Sequence, residues 1–489
     1  MRIGRREFVG ALAATGLSAE VLPLRAAEGP QLRLGVLSDI HVTTPECAAH
    51  DEHAQVCLKT PAAFERALVY FREQGVDAVV IAGDLTEFGL LPELRRVADI
   101  WNRVFPDDRG ADGEKVEKLF ILGNHDAIAW RWISTWTGDE WEGAERKAHW
   151  DISIAKDPAA AWRECFQEEY APIRMKTVKG VRFVLASWPP LPEGERNWRG
   201  GADVPGIADY LAAHRTELSD GHPFFYVQHA HPKGTCVPFA CGDSGTLTAA
   251  LKVFPNAIAL SGHAHQPLTD ERNVWQGEFT SIGTASLIDA GGRSFRENGS
   301  PYAKGMSRFA RMPYLRTGEC RHGMYMLLGN GRLEIRRRDF NWGVSIGPDW
   351  SVPLDGSRAF AFAPRAAVAR KPAFAADAST RISFVKKDGK TADGDPMPRL
   401  EVSFPAADCG GRVYDYEVRA VVEADDYEQI VCTKRILAPD YHLPESRTGR
   451  GGSVWFADCE LPTGDVRFDI LPVDCFGNRG SGISAVYKA

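Results

Sequence analysis

Asp77-Ala78-Val79-Val80-Ile81-Ala82-Gly83-Asp84-Leu85-Thr86 is an apolar run that ends abruptly in glycine and aspartate. A run of this length is the pattern of a strand buried on both faces, as in a parallel sheet covered by helices. The neighbouring patterns agree. Residues 62–74 follow Pro61 with helical spacing, and 93–105 repeat that spacing. Residues 32–37, 118–122, 181–186, 223–228 and 257–261 are further strand candidates, and 325–338 read as a hairpin turning at Gly329-Asn330-Gly331. Strands separated by helices predict a layered α/β core with helices flanking the sheets.

Each of five strand candidates runs into a short polar motif. These are Ser38-Asp39-Ile40-His41, Gly83-Asp84-Leu85-Thr86, Gly123-Asn124-His125-Asp126, His229-Ala230-His231-Pro232 and Gly262-His263-Ala264-His265. Ligand sites in open α/β sheets collect at the carboxyl ends of strands, so five such clusters can converge on one cleft. Asp and Asn offer hard oxygen donors and His offers an imidazole nitrogen. One aspartate can place an oxygen on each of two ions. Two ions about 3.5–4 Å apart clamp a phosphate and generate hydroxide near neutral pH. Gly-x-Ser-x-Gly and the phosphate-binding P-loop pattern are both absent from the sequence, so nothing demands a covalent enzyme intermediate.

In this order the motifs resemble the calcineurin-like metallophosphoesterase superfamily, over residues 32–341. The resemblance implies a layered α/β sandwich and two divalent or mixed-valence metal ions (Fe, Mn or Zn). It implies that Asp39, His41 and His265 hold one metal, that Asp84 bridges, and that Asn124, His229 and His263 hold the other, with His231 the alternative to His229. His125 would be the outer histidine that gives a proton to the leaving oxygen, and Asp126 would orient or tune it. The implied reaction is attack of metal-activated hydroxide on a small-molecule phosphate ester. Gly-Asp-Leu-Thr with Gly-Asn-His-Asp looks like the branch of cyclic-nucleotide and glycerophosphodiester phosphodiesterases, which puts diesters ahead of monoesters. Glu87 stands where purple acid phosphatases carry a tyrosine ligand, so a ferric–tyrosinate centre is not expected. The competing reading is a catalytically inactive, exported metal-binding interaction module; the filled ligand positions and His125 favour the enzyme.

The rest of the chain is less chemical. The catalytic domain is expected over 28–360, with an insert at 127–178 that holds Trp130, Trp132, Trp136, Trp141, Trp150 and Trp162. Clustered tryptophans usually pack on each other, so a small helical core is expected ahead of an aromatic lid. Trp188 either lines the cleft or packs in the core, and Arg131, Arg196 and Arg199 read as solvated side chains, with a substrate-anion role as the alternative. Residues 361–380, rich in Ala, Pro and Arg, read as a linker. Short strand-like runs over 381–489 predict a small all-β sandwich. Leu471-Pro472-Val473-Asp474-Cys475-Phe476-Gly477-Asn478 is similar to fibronectin type III-like domains.

The 489 residues are 44% hydrophobic and 25% charged, ordinary for a globular chain. The net charge of −7 gives no reason to expect nucleic acid or an anionic membrane as partner. Beyond the N-terminus no apolar stretch is long enough to span a bilayer. Residues 1–27 read as a twin-arginine-type signal peptide: Arg5-Arg6, an Ala-rich apolar stretch, then Ala26-Ala27. The protein is therefore expected to be exported, periplasmic or extracellular. Ten cysteines in an oxidising compartment suggest disulfides, with Cys47 and Cys57, and Cys236 and Cys241, as close pairs.

Overall fold

The computed structural model describes residues 32–49, 52–131, 144–192, 202–236, 243–289, 319–389, 396–424 and 427–488. The expected signal peptide, Trp132, Trp136, Trp141, Arg196, Arg199 and Cys241 lie outside them. Among the described residues no helix is long and apolar enough to cross a membrane.

Two sheets form the centre. The first carries β1 (Leu32–Leu37), β2 (Ala78–Ala82) and β3 (Glu117–Ile121), mutually parallel. The second has β4 (Ile173–Val178) antiparallel to β5 (Val181–Ala186), which continues in parallel through β6 (Phe224–Gln228), β7 (Ala257–Ser261) and, past β8 (Val274–Gln276), β9 (Thr280–Gly283). The hairpin β10 (His322–Gly329) and β11 (Arg332–Asp339) returns to the first sheet, where β10 runs antiparallel to β1. Asn330 and Gly331 make its turn, both at positive φ, as a two-residue hairpin loop requires.

Side-chain alternation sorts the layers. Leu34, Val36, Ala78, Val80, Leu119 and Ile121 face Phe183, Leu185, Phe225, Val227, Ile258 and Leu260 between the sheets. Leu37, Val79, Ile81 and Phe120 turn the other way, onto the helices Thr60–Glu73 and Leu91–Val104. On the far side, Val184, Phe224, Tyr226 and Ala259 meet the helices Ile207–Ala213 and Thr246–Leu251. The result is four layers, helix–sheet–sheet–helix. The helix Leu91–Val104 begins with proline in its first turn, and its Glu93 carboxylate accepts from the Leu90 and Phe88 N–H groups. Both features stabilise a helix start, and Phe105-Pro106 ends the helix.

Among its described residues, the tryptophan-rich stretch does not build a core of its own. Trp162, on the helix Pro158–Phe166, joins the main core beside Trp101 and Phe166, while Trp130 and Trp150 pack with Phe88 and Leu90. Its last residues, 173–178, are β4 of the second sheet.

Beyond residue 380 two antiparallel sheets share one apolar cluster. Ser383–Lys387, Arg399–Phe404 and Gly452–Ala457 form one; Tyr427–Leu437, Asp415–Ala424, Val466–Val473 and Ile483–Tyr487 form the other. Leu400, Val402, Tyr416, Val418, Phe456, Phe468 and Ile470 fill the space between them. The stretch 361–380 holds the helix Phe362–Val368, which buries no residue fully. It is fixed through Arg365, which donates to Glu271 and to the Val274 carbonyl and lies over the Phe360 ring. One anchoring arginine leaves no apolar periodicity to read. Among the described cysteines no disulfide forms, contrary to expectation. The Cys57 thiol donates to Glu87 at 3.5 Å, and Cys47 keeps its own thiol.

Candidate metal centre

The carboxyl ends of β1, β2, β3, β6 and β7 open onto one edge where the two sheets meet. There the chain turns sharply: Asp39, His41, Asp84, His263 and His265 all have positive φ, from 41° to 66°. Non-glycine residues rarely accept this region, and such strain gathers at functional sites. The strain is held by the frame around it. Asp39 N–H donates to the Gly83 carbonyl and His41 N–H to the Asp84 carbonyl, each at 3.0 Å. His263 N–H donates to Asp39 at 3.0 Å. Gly123 is needed for space, because a Cβ there would collide with the Asp84 carboxylate and backbone nitrogen.

The imidazoles are fixed from behind. His41 Nδ1 lies 2.7 Å from Glu87 Oε2, His265 Nδ1 2.5 Å from Asp289 Oδ1, His229 Nδ1 2.7 Å from the Ala82 carbonyl, and His125 Nδ1 2.7 Å from the Glu87 carbonyl. An oxygen acceptor at Nδ1 places the neutral ring's proton there and leaves the Nε2 lone pair facing the cleft. His265 Nε2 is then 2.9 Å from Asp39 Oδ1, and His229 Nε2 is 3.0 Å from both Asp84 Oδ2 and Asn124 Oδ1. His41 Nε2 is 3.6 Å from Asp84 Oδ2, buried and without a hydrogen bond. Asp39, His41 and His265 form one group whose donor atoms lie within 4.8 Å of one another, and Asp84, His229 and His263 form a second. These are metal-ligating residue types at metal-ligating separations. Trp188 walls the second group, with its ring 5.9 Å from His229 and 5.7 Å from His263.

The electrostatics favour positive charge. Burial opposes ionisation of Asp84, yet His229, His125 and His41 outweigh it and hold that carboxyl well below the usual range. Burial likewise works against Asp39, but His265 and His229 bring it down to about 2. Burial would neutralise His229 and His265; Asp84 and Asp39 lift His229 to about 9, and Asp39 and Asp289 lift His265 well above its ordinary value. Those protons balance charge that metal cations would otherwise balance. Asp39, Asp84, Glu87 and Asp289, all at most 5% exposed, bring four carboxylates to the site.

Asp126 does not reach the His125 ring through its hydrogen bonds. Its carboxylate accepts from the N–H groups of Gly123, Leu85 and Thr86 and from the Thr86 hydroxyl. It therefore staples the Gly-Asn-His-Asp turn to the Gly-Asp-Leu-Thr turn, and the group on His125 is Glu87. His231 falls outside both ligand groups, although Asp39 acts on it electrostatically and its Nε2 is buried without a hydrogen bond; its Nδ1 lies 3.3 Å from the Cys236 sulfur. Glu87 and Asp289 are site residues that the motifs do not announce. The only sequence signal for Glu87 is its place three residues after Asp84, and Asp289 has none.

Cys320, His322 and Asp339 form another compact buried group. Here the Leu268 N–H donates to His322 Nδ1 at 3.1 Å, so the neutral ring carries its proton on Nε2, facing Asp339 Oδ2 at 3.5 Å. That tautomer offers no lone pair to an ion. The group reads as packing between β10, β11 and His442, whose carbonyl accepts from the Cys320 thiol.

A family model described as calcineurin-like phosphoesterase matches residues 32–267. No curated protein matches the chain. Among solved structures it is similar to a dimetal phosphatase from Danio rerio, at 12% identity and a TM-score of 0.39, covering 68% of this chain and 99% of that one. It is similar to a protein of Thermus thermophilus at 13% identity and TM-score 0.34, covering 64% of this chain and all of that one (100%). It is also similar to the purple acid phosphatase PPD1 of yellow lupin (Lupinus luteus) seeds at 10% identity and TM-score 0.37, with 67% and 54% covered. The likeness to the calcineurin-like phosphoesterase family rests on residues 32–267, the segment that the family model matches.

Proposed function

We propose that the protein is a dinuclear metal-dependent phosphoesterase of small-molecule phosphate esters, diesters ahead of monoesters. One observation carries the reading: His41 Nε2 is buried without a hydrogen bond, beside two carboxylates and facing the same cleft as His229 and His265. Such an atom fits a metal ligand better than a packing group. Asp39, His41 and His265 would hold one ion, Asp84 both, and Asn124, His229 and His263 the other. Four carboxylates match the charge of two divalent cations, with Fe, Mn or Zn all compatible with this donor set. Ions in this position neutralise the phosphate oxygens and acidify a water.

The chain's own residues do the rest. Asp84 accepts from the His125 N–H at 2.8 Å and so fixes the histidine beside the ion-binding edge. With Nδ1 spent on the Glu87 carbonyl, His125 offers Nε2, and 20% of its side chain is exposed. Its imidazolium gives a proton to the departing oxygen. Trp188, 4% exposed, excludes water behind His229 and His263. Diester preference is supported by Gly-Asp-Leu-Thr and Gly-Asn-His-Asp, and export by Arg5-Arg6 and the apolar stretch after it.

The test is to quantify metals in the purified chain and assay bis-p-nitrophenyl phosphate beside p-nitrophenyl phosphate, with Asp84→Ala as control. About two metals per chain and turnover of an ester, both lost in Asp84→Ala, is the expected result. Metal binding without turnover under any supplement would leave the inactive binding module as the better reading.

A further inference from the structure

Glu87 touches two histidines by two different routes. Its side-chain Oε2 accepts from His41 Nδ1, and its main-chain carbonyl accepts from His125 Nδ1, each at 2.7 Å. The two rings meet edge to face with centroids 4.4 Å apart. Glu87 is 3% exposed, and its carboxylate also accepts from the Cys57 thiol on the helix Glu52–Cys57. Its backbone is tied down as well, with its N–H donating to the Val42 carbonyl at 3.2 Å. One residue thus sets the tautomer and tilt of a ring facing the metal-binding edge and of the ring that gives the proton.

Resting on the dinuclear reading above, we propose that Glu87 is a positioning residue with separable duties: its side chain secures the metal held by Asp39, His41 and His265, and its main chain aims His125. A carboxylate behind a metal-bound imidazole keeps the proton on Nδ1, raises the basicity of Nε2 and stops the ring from rotating. The carbonyl on His125 does not depend on which side chain residue 87 carries. Substituting Glu87 therefore weakens metal retention on one side of the site and leaves the His125 ring aimed, while removing the carboxylate that lies 3.6 Å from His125 Nδ1 and supports its charge. This separates Glu87 from Asp84, whose loss removes a shared donor.

The experiment compares the full chain with Glu87→Ala and Glu87→Gln, measuring metal equivalents retained against a competing chelator, and kcat and KM with and without excess metal. The expected result is loss of one of two equivalents with affinity reduced roughly 10- to 100-fold in Glu87→Ala, the usual scale for such an outer partner. Glu87→Gln, which keeps an acceptor oxygen at the same reach, falls between Glu87→Ala and wild type. Excess metal restores kcat in both variants on the acid side of the profile, where His125 keeps its proton without the Glu87 carboxylate, because the ring is still aimed. The proposal is overturned if Glu87→Ala retains both equivalents as tightly as wild type, or if its kcat stays low at saturating metal on that acid side. A wild-type chain that binds no metal would instead remove the dinuclear reading, so the two failures are distinguishable. Should Glu87→Ala not fold, the ordering of Glu87→Gln against wild type decides.

Discussion

His229 Nε2 lies 3.0 Å from Asp84 Oδ2 while its Nδ1 is bound to the Ala82 carbonyl, so the ring can face the cleft in only one tautomer. His231, two residues on, turns instead to the Cys236 sulfur. His229→Ala is expected to lose metal and to cut kcat at least about 100-fold, the scale of losing one transition-state contact. His231→Ala is expected to keep both metals and lose stability only, by about 2 kcal/mol for a buried side chain removed. Metal analysis with thermal unfolding checks both. Metal loss in His231→Ala but not in His229→Ala would exchange their roles.

Gly123 has no room for a side chain, because a methyl there meets the Asp84 carboxylate and backbone. Gly123→Ala must push Asp84 or the turn away from the His229 side of the site. The expected cost is about 1–3 kcal/mol from overpacking, with weaker metal retention. A variant that unfolds early yet binds metal normally would show that the Asp84 turn yields without moving its carboxylate. Calorimetry and metal titration on one preparation separate the two effects.

The residues of the cleft are legible because each follows its strand directly: the apolar run 77–82 announces a buried strand, and Gly83-Asp84 is what stands at its end. The partners behind the histidines are not. Glu87 is 46 residues from His41 and Asp289 is 24 from His265, and tertiary distance alone chooses them. Asp126 misleads for a related reason. Adjacency to His125 suggests an orienting role, but the carboxylate points back to cap its own turn and the neighbouring one. The helix Phe362–Val368 escapes the sequence reading because one arginine, not an apolar face, holds it.

His125 should confer a falling rate as pH rises. Burial, helped by His41, pulls its pKa below the ordinary value, against the opposing pull of Asp84 and Glu87. The proton-donating imidazolium is therefore present at low pH and lost as pH rises through a value below about 6.5. His125→Ala is expected to lower kcat roughly 10²- to 10⁴-fold and to flatten that limb of the profile. Substrates with good leaving groups should be affected least. A limb that persists unchanged in His125→Ala would assign the proton elsewhere.

Acid stability should depend on the pair that joins the α/β core to the C-terminal sheets. Asp270, fully buried, accepts from Arg272 through both carboxylate oxygens, and the Arg272 guanidinium lies 4.8 Å from the centroid of the Tyr414 ring. Burial opposes the Asp270 charge, but Arg272 more than offsets it and brings the pKa down to about 2. A depressed carboxyl contributes stability that is fully present above its unfolded value, about 3.9, and is lost as pH falls through 2. The window is therefore about pH 4 to 2. Asp270→Asn is expected to cost roughly 3–5 kcal/mol at neutral pH, since it leaves Arg272 buried without its counter-charge. It should also shrink the acid-dependent loss within that window. Asp39 and Asp84 titrate low in both proteins, so the difference between the two unfolding curves isolates Asp270. Parallel curves from pH 4 to 2 would mean that the pair contributes no pH-dependent stability.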